Sequence, residues 1–174
     1  EGVSDIQKQQ MITQAGKNVK VFGIEGNFDD AQRGVKEIFG NTALSDELEK
    51  KGYTFSSANS INWGRLVPQI VYYFSAYVDA VKAGKIAAGD PINFVVPTGN
   101  FGDILAGYYA KLMGLPIDRL LCASNSNNVL TDFINTGVYD RRREFFKTAS
   151  PSMDILVSSN LERLLYSVTE QRII

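Results

Sequence analysis

The chain has 174 residues, 44% hydrophobic and 21% charged, with a formal net charge of -1. That is the balance of a globular protein, and it gives no electrostatic case for nucleic acid or an anionic membrane as partner. Histidine is absent and Cys122 is the one cysteine, which excludes a Ser-His-Asp triad, a Cys-His pair, an internal disulfide and an ordinary zinc site built from these residues.

The apolar runs break well short of the roughly 20 residues that a membrane span needs. The lone thiol fits a reducing, cytoplasmic compartment. Ser4 is placed to N-cap a first helix reaching about Ala15, where Gly16 stops it. Val19–Glu25 (VKVFGIE) reads as a strand. Asp29 or Asp30 starts a helix to about Phe39, ended by Gly40 and Asn41. Ser45–Lys50 reads as a short polar surface helix and Tyr53–Ser57 as a second strand.

A long helix is expected from about Gly64 to Ala83, with Leu66, Ile70, Tyr73, Tyr77 and Val81 on one face and Pro68 in its first turns. A buried strand Asn93–Pro97 leads into a helix Gly102–Met113, stopped by Gly114 and Pro116. Leu120–Ser124 is a strand, Val129–Asn135 a short helix closed by Gly137, Arg141–Lys147 an exposed basic stretch, and Asn160–Val168 a last helix. The alternation predicts an α/β fold of three layers, a mostly parallel sheet with right-handed crossovers and flanking helices. Chain ends that stop beside regular elements suggest part of a longer protein.

Two segments carry chemistry. The first, Pro97–Asp103 (PTGNFGD), is a strand-to-helix turn in which Gly99 and Gly102 flank Asn100 and Phe101. A helix N-terminus offers unpaired N–H donors and a partial positive charge, glycines allow close backbone approach, and phosphate is a natural guest. The Thr98 hydroxyl and the Asn100 amide could add hydrogen bonds. A plain strand-to-helix connection is the equal alternative. Neither the P-loop pattern nor G-x-G-x-x-G is present. Glu25–Asp30 (EGNFDD) is a near-copy with Asp29 where the turn has Gly102. A carboxylate there repels phosphate, so the first copy reads as an ordinary helix cap. The second segment, Ser57–Arg65 (SANSINWGR), crowds Asn59, Ser60 and Asn62 ahead of Arg65. Arginine in a first helical turn opposes the dipole, which suggests an anion to hold; a capped helix with an exposed Arg is the plainer reading.

VPTGNFGDILAGYYAKLMGLPI resembles the phosphate loop of threonine synthases. SSANSINWGRLVPQIVYYF, GVSDIQKQQM, SNSNNVLTDF and TASPSMDI with SSNLERLLY are similar to other segments of the family, in the same order. The resemblance covers essentially the whole chain. It implies the fold-type-II architecture of pyridoxal-phosphate enzymes and conversion of O-phosphohomoserine and water to threonine and phosphate. It implies that Thr98, Gly99, Asn100, Phe101 and Gly102 hold the cofactor phosphate, and that Asn59, Ser60 and Arg65 hold the substrate. The family's Schiff-base lysine, in a Phe-Lys-Asp context, has no counterpart here; Phe146-Lys147-Thr148 is a superficial echo, so no catalytic residue is assigned. Residues 1–58 would then be the rear of a small domain and 59–174 part of a large, cofactor-binding one. The chain alone is expected to be inactive, to hold pyridoxal phosphate weakly or not at all, and to be able to self-associate through surface that truncation exposes. Another fold-type-II lyase or synthase, or a non-catalytic phosphate-binding module, is the alternative.

Overall fold

The computed structural model describes residues 5–26 and 28–169. The first helix, α1, spans Asp5–Ile12, and the expected N-cap, Ser4, lies outside the described residues. Val19–Glu25 forms no strand: it runs as irregular chain, with Val19, Val21, Phe22 and Ile24 exposed. Tyr53–Ser57 is irregular as well. Apolar alternation becomes a strand only where a neighbouring edge takes up its backbone N–H and C=O groups, and among the described residues neither segment has such a neighbour.

Helix α2, Phe28–Phe39, starts one or two residues earlier than expected and contacts α3, Thr42–Lys50. The Asn41 side chain caps α3 by accepting from Leu44 N at 3.0 Å. The rings of Phe39 and Phe55 stack with centroids 5.3 Å apart.

The expected long helix is broken into α4 (Trp63–Leu66), a 3₁₀ turn over Val67–Gln69, and α5 (Ile70–Lys82). Pro68 sits in the 3₁₀ turn; its missing N–H and bulky ring interrupt the α ladder. The apolar face is as predicted, with Leu66, Tyr73 and Tyr77 buried and Ile70 and Val81 packed beside them.

Strand β1 (Ile92–Pro97), helix α6 (Gly102–Leu112) and strand β2 (Ile117–Ala123) form a strand–helix–strand unit with parallel pairing. The register sets Val96 beside Cys122 and Phe94 beside Leu120, with an irregularity between Ile92 and Phe94. There Asn93 Oδ1 accepts from Arg119 N at 2.9 Å. Among the described residues the sheet has these two strands alone; it is an α/β fold with parallel pairing, smaller than predicted because the other two strand candidates do not pair.

Helix α7 (Val129–Thr136) is closed by Gly137 at φ 76°, the left-handed conformation glycine favours. The basic stretch after it is exposed except at Arg143, whose Nη1 lies 2.9 Å from Asp132 Oδ2. A 3₁₀ turn, Pro151–Met153, and helix α8, Leu161–Val168, complete the order. The core centres on α6: Ile104, Leu105, Ala106 and Ala110 meet Leu66, Tyr73, Val96, Ile117, Leu130 and Leu161. Gly107 lets α5 approach this closely, since a Cβ there would lie 2.6 Å from the Tyr73 ring.

Candidate functional site

The Pro97–Asp103 turn stands where the sequence puts it, between β1 and α6. Thr98 N donates to Ala123 O at 2.8 Å, which carries the β1–β2 pairing one step past the strand. The Thr98 side chain is buried, and its hydroxyl donates back to Val96 O at 2.7 Å. That hydrogen is therefore committed inside the strand, where an outward donor was expected. Neighbouring Cys122 is half-buried, and burial pushes its thiol pKa up, with a hydrogen bond to Thr98 opposing; it is no thiolate nucleophile.

Phe101 is the N-cap of α6 and holds φ 63° with no side-chain cap bond. It is the one non-glycine positive φ among the described residues. Such a conformation costs of order 1–3 kcal/mol and persists where surrounding packing over-determines it. The Phe101 ring, buried in the core, provides that packing. In the near-copy, by contrast, the corresponding Phe28 is already helical. The two motifs thus differ in backbone as well as in composition.

The turn is braced from behind. Ser158 Oγ donates to Gly99 O at 2.7 Å, and Asn160 donates to Asn100 O from both its backbone N and its Nδ2, each at 3.0 Å. With those carbonyls engaged, the amides of Gly102, Asp103 and Ile104 precede the first helical bond, Leu105 N to Phe101 O at 3.2 Å. In front lies a cavity of about 170 Å³, lined by the turn together with Ser60, Gln69, Asp103, Ile104 and Ser152. Among the described residues no lysine or arginine lines it, and Asp103 does, so the groups that can attract an anion are the backbone amides and the helix end.

Both glycines are demanded by neighbouring protein atoms. A Cβ at Gly102 would sit 2.8 Å from Ser60 Cβ, and one at Gly99 would sit 2.9 Å from Ile155 Cδ1 and 3.0 Å from Ser152 O. The second segment therefore meets the turn directly through Ser60. Asn59 is exposed and accepts from Ile61 N at 2.8 Å, a local turn bond. Asn62 caps α4 by accepting from Gly64 N at 2.9 Å. Arg65 is exposed and off the cavity wall; its Nε donates to Ala58 O at 2.9 Å. One helical turn on, Gln69 reaches the cavity and donates to Arg65 O at 2.6 Å.

Asp103 lies at the cavity edge. Tyr73 Oη donates to Asp103 O at 2.8 Å and sits 3.2 Å from its Oδ1. Burial pushes the Asp103 carboxyl pKa up, the Tyr73 hydrogen bond opposes this, and Tyr73 itself is raised by burial and by the nearby carboxylate.

Sequence reasoning missed Ser158, Asn160 and Arg163. Asn160 precedes an amphipathic helix and looks like a cap, but its side chain makes no cap bond. It is fully buried and spends its amide on the turn and on Ser60. The signal available was the crowding of Ser158, Ser159 and Asn160 before an arginine, with nothing to say where they point.

The glycine turn, the parallel strand pair and the covering helices are those of fold-type-II pyridoxal-phosphate enzymes, as likeness to solved members shows. No family model matches the chain. It is 54% identical to human threonine synthase-like 1 over 95% of its own length and 22% of that protein's. It is 46% identical to threonine synthase of Eremothecium gossypii over 98% of its length and 32% of the relative's. A crystal structure of pyridoxal-phosphate-bound threonine synthase from Brucella melitensis superposes with TM-score 0.76 at 47% identity, covering 97% of this chain and 34% of that one. The chain belongs to the threonine synthase family and spans between about a fifth and a third of these relatives' length.

Proposed function

We propose that the full-length protein carrying these residues is a threonine synthase, converting O-phosphohomoserine and water to threonine and phosphate with pyridoxal phosphate, in a cytoplasmic compartment. One observation carries the reading: in a chain of this family, the glycine turn and Ser60 meet in a single cavity at the N-terminus of α6. The residues fit a phosphate group. The amides of Gly102, Asp103 and Ile104 lack helical acceptors, Ser60 adds a hydroxyl, and the Ser60 contact leaves no room for a side chain at position 102.

In this reading Gly99, Asn100, Phe101 and Gly102 hold the phosphate of the cofactor, and Thr98, with both its donors engaged, anchors the turn to the sheet; the cofactor when bound supplies the electron sink for the chemistry. Asn59, Ser60 and Arg65 bind and orient the phosphorylated substrate. The Arg65 Nη groups have no acceptor among the described residues, so they remain available for an incoming anion. Residues 1–58 form the rear of a small domain and 59–174 part of a large one. The 174 residues alone are inactive, because no lysine lines the cavity.

The test is product analysis of the full-length protein with O-phosphohomoserine. Threonine and inorganic phosphate are expected; a different product, or none, overturns the reading. Borohydride reduction of the 174-residue chain with cofactor should attach no pyridoxyl group to any one lysine by mass. A second reading, another fold-type-II lyase or synthase, is supported by the identity to a protein named threonine synthase-like; the same product analysis decides between them.

A further inference from the structure

Asn160 lies 60 residues beyond Asn100 and 100 beyond Ser60, yet its side chain bonds to both. It is fully buried, and it receives a hydrogen bond from Arg163 Nη1 on its Oδ1. Arg163 continues to Ser60 O at 2.9 Å and to Ile61 O at 2.6 Å, and its guanidinium lies 5.9 Å from the centre of the Trp63 ring.

Donor and acceptor accounting orients the Asn160 amide in this chain of contacts. Arginine has no acceptor, so the Asn160 atom facing it is the carbonyl oxygen. The Asn160 amide nitrogen must then face the other way. Its two hydrogens go to the nearer acceptors, Asn100 O and Ser60 Oγ, both at 3.0 Å, while Ser159 Oγ lies farther off at 3.5 Å. An amide nitrogen accepts nothing, so Ser60 Oγ is the acceptor in that pair. Its own hydrogen is left over, and Ser60 lines the turn cavity.

We propose that Arg163 and Asn160 are positioning residues that orient the Ser60 hydroxyl as a hydrogen-bond donor to a phosphate monoester in the turn cavity. Arg163 sets the Asn160 amide, Asn160 takes up one of the two lone pairs of Ser60 Oγ, and the Ser60 hydrogen is left for an acceptor in the cavity. The same amide holds Asn100 O at the rear of the turn, so cofactor turn and Ser60 segment keep one spacing. This rests on the proposed reading that Ser60 and the turn bind phosphate. The phosphate is that of the cofactor or that of the substrate, and the measurements separate the two.

The experiment uses the full-length protein and three variants, Ser60→Ala, Asn160→Asp and the double substitution. Asn160→Asp keeps the shape but replaces the donor by an acceptor, which draws the Ser60 hydrogen away from the cavity. Each single variant should weaken the same quantity about tenfold, the loss of one hydrogen bond to a charged group, and the double variant should be no worse than Asn160→Asp. If the phosphate is the substrate's, the change appears in KM for O-phosphohomoserine and in competition by inorganic phosphate, and not in cofactor content. If it is the cofactor's, it appears as faster loss of pyridoxal phosphate on dialysis, followed by absorbance.

Ser60→Ala without effect on either quantity overturns the phosphate reading of Ser60. Ser60→Ala with an effect that Asn160→Asp does not share, or adds to independently, overturns the relay while leaving that reading standing. A fall in melting temperature alone marks Asn160 as structural and also overturns it. Should Asn160→Asp not fold, Arg163→Met removes the group that orients the amide. It should weaken the same quantity and lose its effect in the Ser60→Ala background; persistence of the effect there overturns the relay.

Discussion

Residues 59–169 pack around α6, with a continuous cluster from Leu66 to Leu161. In residues 5–58, Gln32 is the one buried side chain among those described, while Met11, Ile12, Phe22, Val35, Ile38 and Tyr53 are exposed. Both regions carry amphipathic patterns, and among the described residues only one gathers them into a buried apolar core. An apolar stripe becomes a core when another element covers it, and short helices gain most of their stability from that cover. The candidate site lies wholly in the packed region. The contrast can be sharpened by substitutions whose effects should fall from one region to the other.

The largest effect is expected at Leu105, which has no exposed surface at the centre of the cluster. Leu105→Ala should cost about 2–5 kcal/mol, read by urea denaturation of the 174-residue chain. Amide exchange in α2 and α3 should not change, since neither reaches this core. Next comes Asp154, whose Oδ1 accepts from Asn125 Nδ2 at 2.7 Å, Asn127 Nδ2 at 3.0 Å and Thr148 Oγ1 at 2.7 Å. Asp154→Ala should cost about 1–3 kcal/mol by removing the shared acceptor of one buried and two half-buried donors. It should also loosen the Ser152–Ile155 wall behind Gly99, read as faster exchange of the turn amides.

The same contrast explains what could be read from sequence. Helix α6, Gly137 and the apolar face of the Leu66–Val81 region were legible because glycine stops and 3.6-residue periodicity are local signals, and the packing agrees with them. Strand β2 was found with its start three residues late, because Ile117-Asp118-Arg119 looks like loop until Asn93 receives Arg119 N. The strand readings at Val19–Glu25 and Tyr53–Ser57 failed because a strand needs an edge to pair with, which no window of sequence reports. At the site, the glycine turn was visible, but the inward bond of Thr98 and the rear brace from Asn160 depend on residues far apart in the chain.

A smaller effect is expected at Asp103. Burial raises its carboxyl pKa in the folded chain above the ordinary value. The contribution of this group to stability is therefore fully present below the ordinary carboxylate range. It is lost as pH rises through the raised value. Asp103→Asn keeps an oxygen for Tyr73 Oη and removes the titration. The variant should gain in melting temperature over the parent as pH goes from acidic to neutral. A constant difference across that range would show that Asp103 titrates as if exposed.

The smallest effect is expected at Phe22, which is 81% exposed in the loosely packed region. Phe22→Ser in the 174-residue chain should change stability by no more than about 0.5 kcal/mol, as surface substitutions do. The same substitution in the full-length protein is the sharper measurement. The relatives compared are about three or more times longer than this chain, and cover of the apolar side chains of 5–58 by further residues would raise the cost there. A cost several times larger there would assign the contrast to missing cover. An equally small cost in both would mean that Phe22 stays in solvent throughout, and that this region differs from the α6 core in kind and not merely in what surrounds it.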